Sequence, residues 1–257
     1  MSATRNPVPQ DGQVPQDGQR DQSHPSDRLP AWQRVLVVVA HPDDESFGLG
    51  AVIDAFVTAG AQVEVLCLTM GEASTLAEGL SPQSVGELPA MRAQELARAA
   101  DLLGVRRATL VRHPDGALGQ QPAGALEADV EAAVDRVAPH GLVVFDTTGV
   151  TGHPDHAAAS LAAEAVARRR GIPVVGWVLP DAVAASLRQE YGIGMDGVDP
   201  AAVSVDLRVS RDRQLQAIAA HRSQAVPGSV LWRRLELLGD HEYLRWIVEP
   251  PSGVAPN

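Results

Sequence analysis

Two short stretches combine imidazole and carboxylate at spacings suited to gripping an ion: His41-Pro42-Asp43-Asp44-Glu45 and Gly152-His153-Pro154-Asp155-His156. In each, ligand-type side chains stand three residues apart, His41 with Asp44 and His153 with His156. At the first turn of a helix, positions i and i+3 share a face. Two imidazoles and a carboxylate, completed by water, make a typical catalytic zinc centre, whereas a structural zinc more often recruits cysteines. The single cysteine, Cys67, lies in neither stretch. One isolated His/Asp turn is usually a helix cap or a solvated loop. Two such turns brought together by a fold point to a metal.

Whether they meet depends on the elements that carry them. Positions 35–40 are an unbroken aliphatic run, the pattern of a strand buried on both faces, and 41–45 stand where that strand must end. Helical spacing follows over 45–59, closed by Gly60. The alternation continues with strand 62–69, helix 89–103, strand 107–112, helix 123–138, strand 142–146, helix 154–170 and strand 173–179. A short helix 182–191, strand 203–207, helices 210–221 and 229–238 and a last strand 243–248 complete the chain. This order predicts an α/β fold: a Rossmann-like, doubly wound, mostly parallel sheet with helices on both faces and extra C-terminal strand and helix elements. In the usual strand order the first and fourth strands are neighbours where the winding reverses, and ligands bind outside the carboxyl ends of the strands there. Both polar stretches fall at that point.

A chain of 257 residues suits one such domain. Residues 1–33 hold almost nothing apolar and carry a tandem hexapeptide, Val-Pro-Gln-Asp-Gly-Gln, at 8–13 and 14–19, which predicts a disordered tail. Residues 34–249 read as a single domain, and 250–257 as a frayed terminus. The net charge of −11, from 32 acidic and 21 basic residues, argues against nucleic acid or an anionic membrane as the main partner. No run approaches the ~20 apolar residues of a membrane span, and the N-terminus lacks the apolar segment of a signal peptide. With one cysteine no internal disulfide can form, so a cytoplasmic protein is expected.

The stretches Ala40-His41-Pro42-Asp43-Asp44-Glu45 and Gly152-His153-Pro154-Asp155-His156 resemble the motifs of the LmbE-like, or PIG-L, family of zinc-dependent N-acetylglucosaminyl deacetylases. The similarity runs from about Val35 to about Gln224. It takes in Thr69-Met70-Gly71-Glu72, Arg92 with Glu95, Asp115-Gly116 and His221-Arg222-Ser223-Gln224. The resemblance implies that His41, Asp44 and His156 bind Zn2+, or another divalent metal such as Fe2+, and that Asp43 is the general base. His153, oriented and kept protonated by Asp155, would stabilise the oxyanion or protonate the leaving amine. Substrate-binding roles fall to Glu72, Arg92 and Asp115. The implied activity removes an N-acyl group, typically acetyl, from a small amino sugar or glycoconjugate.

Residue patterns alone leave alternatives. His153 could replace His156 on the metal, and Asp43 and Asp44 could exchange roles. Glu72 could cap a loop, Arg92 could pair with Glu95 on a helix surface, and Asp115 could serve only its Pro-Asp-Gly turn. His221 is read as a helix end suited to the dipole. Some sugar-processing members carry an aromatic residue two positions before the second motif, where this chain has Thr151. An amidase acting on another small amide, such as a thiol conjugate of mycothiol, and a non-catalytic module of the same fold are the competing readings. A complete ligand set beside Asp43 favours an enzyme. A nicotinamide-dependent oxidoreductase is disfavoured, because no G-x-G-x-x-G follows the first strand. Homo-oligomerisation is left open.

Overall fold

The structure, a computed structural model, describes residues 25–74 and 86–251. Its centre is a seven-stranded sheet in the order β3-β2-β1-β4-β5-β7-β6. β1 (Arg34–Val39) pairs in parallel with β2 (Gln62–Thr69) and with β4 (Gly141–Phe145). β3 (Arg107–His113) and β5 (Val174–Val178) extend the parallel sheet on either side. β7 (His241–Val248) runs antiparallel to both β5 and β6 (Val205–Arg208), which makes the C-terminal extension.

The aliphatic runs are explained by cover on both faces. Along β1, Val35, Val37 and Val39 join one core with α2 (Gly50–Thr58) and α3 (Leu88–Leu103), through Ile53, Phe56, Leu96 and Leu103. Leu36 and Val38 point the other way, onto α4 (Ala125–Val137) and α5 (Pro154–Arg170), through Val130, Val134, Ala163 and Val166. This is the period-two alternation of a strand inside a two-faced sheet. α6 (Asp181–Tyr191), α7 (Asp212–Ala220) and α8 (Val230–Leu238) complete the C-terminal part.

The single helix expected over 45–59 is two: α1 (Asp44–Phe47) and α2. Close packing explains the break. A Cβ on Gly48 would lie 2.5 Å from the Phe145 ring, and one on Gly50 would lie 2.8 Å from Gln214. The last carbonyls of α1 find side-chain partners instead. Gln214 Nε2 donates to Ser46 O at 3.1 Å, and Arg234 donates to Phe47 O.

Residues 25–33, which composition places in the expected disordered tail 1–33, pack against the domain. Ser26 bridges to Val205; its N–H donates to Ser204 O at 2.9 Å and its carbonyl accepts from Asp206 N at 2.9 Å. Trp32 stacks on Phe56 with ring centroids 5.7 Å apart and covers Gly141, where a Cβ would come within 2.3 Å of the indole. One aromatic ring thus ties residues 25–33 to the domain, outweighing their polar composition. The tandem hexapeptide, residues 75–85 of the loop after β2 and residues 252–257 lie outside the described residues. Trp32→Ala is expected to lower unfolding stability by about 2 kcal/mol, less than for a fully buried aromatic because the indole keeps partial exposure. Chemical denaturation checks this, and an unchanged midpoint would return residues 25–33 to the tail.

Candidate active site

The pairing of Val35 with Gly141, Leu36 with Leu142 and Val37 with Val143 sets β1 and β4 side by side, so both polar turns leave the sheet at the same edge. After β1 the chain turns sharply. Ala40 and His41 N–H groups donate to Asp44 Oδ2 at 3.2 and 2.9 Å. Asp43 sits at φ 133°, a conformation that L residues rarely adopt. The turn is braced from beneath. Asp43 N–H donates to Glu45 Oε2 at 3.0 Å, and Glu45 Oε1 accepts from Ser46 Oγ at 2.6 Å and lies 2.7 Å from His221 Nε2. Glu45 and His221 are fully buried. Burial opposes charge on His221, yet Glu45, and beyond it Asp43 and Glu95, raise its pKa above the ordinary imidazole value. Spacing alone marked His221 only as a helix end; its place in His221-Arg222-Ser223-Gln224 was the signal that could have found it.

Three donor groups converge at the mouth of the sheet. His41 Nδ1 lies 3.2 Å from His156 Nε2, His156 Nε2 lies 3.1 Å from Asp44 Oδ1, and His41 Nδ1 lies 3.7 Å from Asp44 Oδ2. The far nitrogens face acceptors. His41 Nε2 is 3.0 Å from Asp115 Oδ1 and 3.5 Å from Asp155 Oδ2; His156 Nδ1 is 2.7 Å from Thr151 Oγ1 and 3.3 Å from Gly149 O. With hydrogens on the far nitrogens, two lone pairs and a carboxylate face one another. A cation between them resolves that repulsion, and outward N–H groups bonded to carboxylate or carbonyl are the usual support of metal-binding imidazoles. The N/O donor set suits Zn2+ and tolerates Fe2+. Burial opposes protonation of His41, but Asp115 and Asp155, joined by Asp44 and Asp43, raise its pKa to about 10. Burial likewise raises the Asp44 carboxyl, and the charges of His156 and His41 overcome this and hold it well below the usual carboxylate range. The pocket therefore favours positive charge.

Two other donor sets share His41. Ring nitrogens of His41, His153 and His156 lie within 4.8 Å of one another, as do donor atoms of His41, Asp115 and Asp155. The second set is already engaged. Asp115 Oδ2 accepts from Ala73 N at 2.9 Å, and the Asp155 carboxylate accepts from Gly116 N at 2.8 Å and Leu118 N at 3.0 Å.

These contacts correct several expectations. Asp155 was expected to orient His153 and keep it protonated. Its carboxylate instead points to two backbone amides and His41, and among the described residues His153 receives only the Asp155 backbone N–H, on Nδ1 at 3.3 Å. Burial, with the neighbouring His41 and His156 charges, holds His153 below the ordinary imidazole value. Asp115, expected to meet substrate, lines the cleft and also engages His41 Nε2 at 3.0 Å and Ala73 N at 2.9 Å. Glu72 accepts from Asp115 N at 3.0 Å, which holds that turn, and it is absent from the cleft wall.

Arg92, expected to bind substrate with a surface pair to Glu95 as the alternative reading, stands in the cleft wall and is 1% exposed, so it is no surface partner. It donates to Asp43 Oδ2 at 2.9 Å, Gly71 O at 2.8 Å, Ser74 Oγ at 2.5 Å and Pro42 O. Gly71, at φ 67°, leaves the room this needs, since a Cβ there would meet the guanidinium at 2.0 Å. Glu95 turns away to Ser223 N and Oγ, at 2.8 and 2.6 Å. Burial raises the Asp43 pKa to about 6, with Arg92 opposing the shift.

These groups open into a cleft of about 430 Å³. His41, Asp43, Asp44, Arg92, Asp115, His153 and His156 belong to its polar part; Phe47, Phe145, Ile193, Met195, Val230 and Leu231 form an apolar part, with Arg234 among them. Two residues before the second motif, Thr151 holds the His156 ring. A second cavity of about 370 Å³, lined by Arg34, Arg106, Arg107 and Arg136, contains none of these donor groups.

Residues 36–167 match the family described as GlcNAc-PI de-N-acetylase (PIG-L). The chain is 31% identical to a probable N-acetyl-alpha-D-glucosaminyl L-malate deacetylase 2 of Bacillus anthracis, over 87% of this chain and 96% of that protein. It is 28% identical to a 1D-myo-inositol 2-acetamido-2-deoxy-alpha-D-glucopyranoside deacetylase of Nakamurella multipartita, over 87% of this chain and 92% of that one. N,N'-diacetylchitobiose deacetylase from Pyrococcus horikoshii has a similar structure, with a TM-score of 0.62 and 22% identity over 86% of this chain and 88% of that chain. At that identity the likeness speaks to the fold alone.

Asp115→Ala is expected to weaken Zn2+ affinity by about tenfold or more, because the His41 ring loses the group that turns it. Competition with a chromophoric chelator measures this; unchanged affinity would mean that Asp115 does not support the His41 ring.

Proposed function

The chain belongs to the PIG-L family, and from that premise we propose that it is a metal-dependent N-deacetylase acting on a GlcNAc-type amino sugar. The relatives named above differ in what their sugar is joined to, inositol in one name and malate in the other, and share the N-acetylated sugar. The shared part is what this chain is proposed to recognise. The observation that carries the reading is Asp43: a carboxylate beside the His41, Asp44 and His156 donor set, gripped by Arg92 and open to the cleft.

His41, Asp44 and His156 would hold Zn2+, which when bound lowers the pKa of a water and polarises the amide carbonyl. Asp43 takes the proton of that water as the water oxygen bonds to the carbonyl carbon. Arg92 and the braced backbone keep the carboxylate in place for this. His153 accepts the Asp155 N–H on Nδ1, which puts its hydrogen on Nε2 and makes it a neutral donor toward the developing oxyanion. As the C–N bond breaks, Asp43 returns the proton to the leaving nitrogen, so a free amine and a carboxylic acid result.

Asp43→Asn is expected to retain Zn2+ and to lower acetate release from an N-acetylglucosaminide by ~10²–10⁴-fold. His153→Ala should cost ~10²–10³-fold in kcat. Turnover by Asp43→Asn equal to wild type would remove Asp43 as the base. Absence of acetate release from every N-acetylated amino sugar tried would remove the deacetylase reading.

A further inference from the structure

Arg234 is a buried cation that the mechanism above does not use. It is 5% exposed and lines the cleft. Its guanidinium carbon lies 5.0 Å from the centroid of the Trp177 ring, one Nη donates to Phe47 O, and Nε is buried with no partner among the described residues. Other arginines of the interior hold carboxylates: Arg92 meets Asp43 at 2.9 Å, and Arg211 meets Glu242 at 2.6 Å. Among the described residues, no carboxylate lies within 4.0 Å of Arg234. Glu242 cannot serve, since its oxygens are taken by Trp177 Nε1 at 2.7 Å and by Arg211.

Burial costs a guanidinium its hydration, and a carbonyl and an aromatic face replace only part of it. The group nevertheless keeps its charge: burial lowers its pKa only to about 10. Capping Phe47 O needs one nitrogen and no charge. Arg234 shares the cleft wall with Phe47, Phe145, Met195 and Leu231 and is itself 5% exposed, and low exposure to water strengthens an ion pair made there. Of the two arginines in the described cleft wall, Arg92 is committed to Asp43, so Arg234 is the cation left for a ligand.

We propose that Arg234 is a carboxylate-binding residue of the cleft. The carboxylate is carried by the group attached to the sugar or is that of the acid released by hydrolysis. The inference rests on the deacetylase reading and names a specificity determinant within it. Carboxylate fits better than a neutral polar group because a guanidinium offers paired N–H donors matched to two oxygens.

The test uses the full-length, zinc-loaded protein and two N-acetylglucosaminides, the carboxymethyl glycoside and its methyl ester, with acetate as a product inhibitor. If the carboxylate belongs to the attached group, wild-type KM is about tenfold or more lower for the acid than for the ester. In Arg234→Met that ratio falls toward one, and Arg234→Lys restores part of it. If the carboxylate is that of the released acid, acid and ester behave alike, but acetate inhibits wild type at concentrations about tenfold lower than it inhibits Arg234→Met. The comparison of acid with ester in wild type does not depend on any variant folding. Equal KM for acid and ester, together with equal acetate inhibition in wild type and Arg234→Met, overturns the proposal. If neither glycoside is hydrolysed, the result counts against the deacetylase reading and not against Arg234. Calorimetric titration of the acid against the ester then judges Arg234 separately: tighter binding of the acid supports it and equal binding overturns it.

Discussion

The 3.0 Å contact between His41 Nε2 and Asp115 turns one imidazole so that its other nitrogen faces His156 and Asp44. Three strands must end together for this to happen. β1 delivers His41, the turn after β3 delivers Asp115, and the helix after β4 delivers Asp155 and His156. Glu72, at the end of β2, fixes the Asp115 turn. A flip of the His41 ring would present a carbon where Asp115 needs a donor and where the donor set needs a lone pair. The sheet order β2-β1-β4 is therefore a requirement of this one ring as much as of the hydrophobic core.

Asp43 depends on a second set of supports. Its backbone is held in an unfavourable conformation while its carboxylate stays beside His41 and Asp44. Strain of this kind persists only where the surroundings over-determine it. Glu45 and His221 hold the amide from below, and Arg92 holds the carboxylate from the side. The C-terminal elements matter here: α7 and α8 satisfy the carbonyls of α1, and the segment after α7 supplies His221 and the Ser223 that occupies Glu95. The extension beyond the parallel sheet thus stiffens the active edge.

Much of this was legible in the residues. Aliphatic runs closing on Asp and His locate the strand ends, because backbone burial imposes a pattern that repeats every one or two residues. Three-residue spacing and the expected adjacency of the first and fourth strands single out His41 with Asp44 and His153 with His156; the choice of His156 over His153, and of Asp44 over Asp43, comes from the family resemblance. What stayed hidden was the destination of long polar side chains. Arg92 and Glu95 look like a surface ion pair at i, i+3, and each reaches a different partner far along the chain. Asp155 and His153 are near neighbours in sequence, yet local turn geometry sends the carboxylate toward His41. Trp32 sits in a polar segment and its anchoring role depends on Phe56 and Gly141, neither of them nearby in sequence. Spacing reports periodicity; it does not report which distant acceptor a flexible side chain finds.

The most direct test is a calorimetric titration of chelator-treated protein with Zn2+. The geometry of His41, Asp44 and His156 predicts one ion per chain, with binding lost in His41→Ala and Asp44→Ala variants that remain folded by circular dichroism. No binding to wild type, or binding of unchanged stoichiometry and affinity in those variants, would contradict the account.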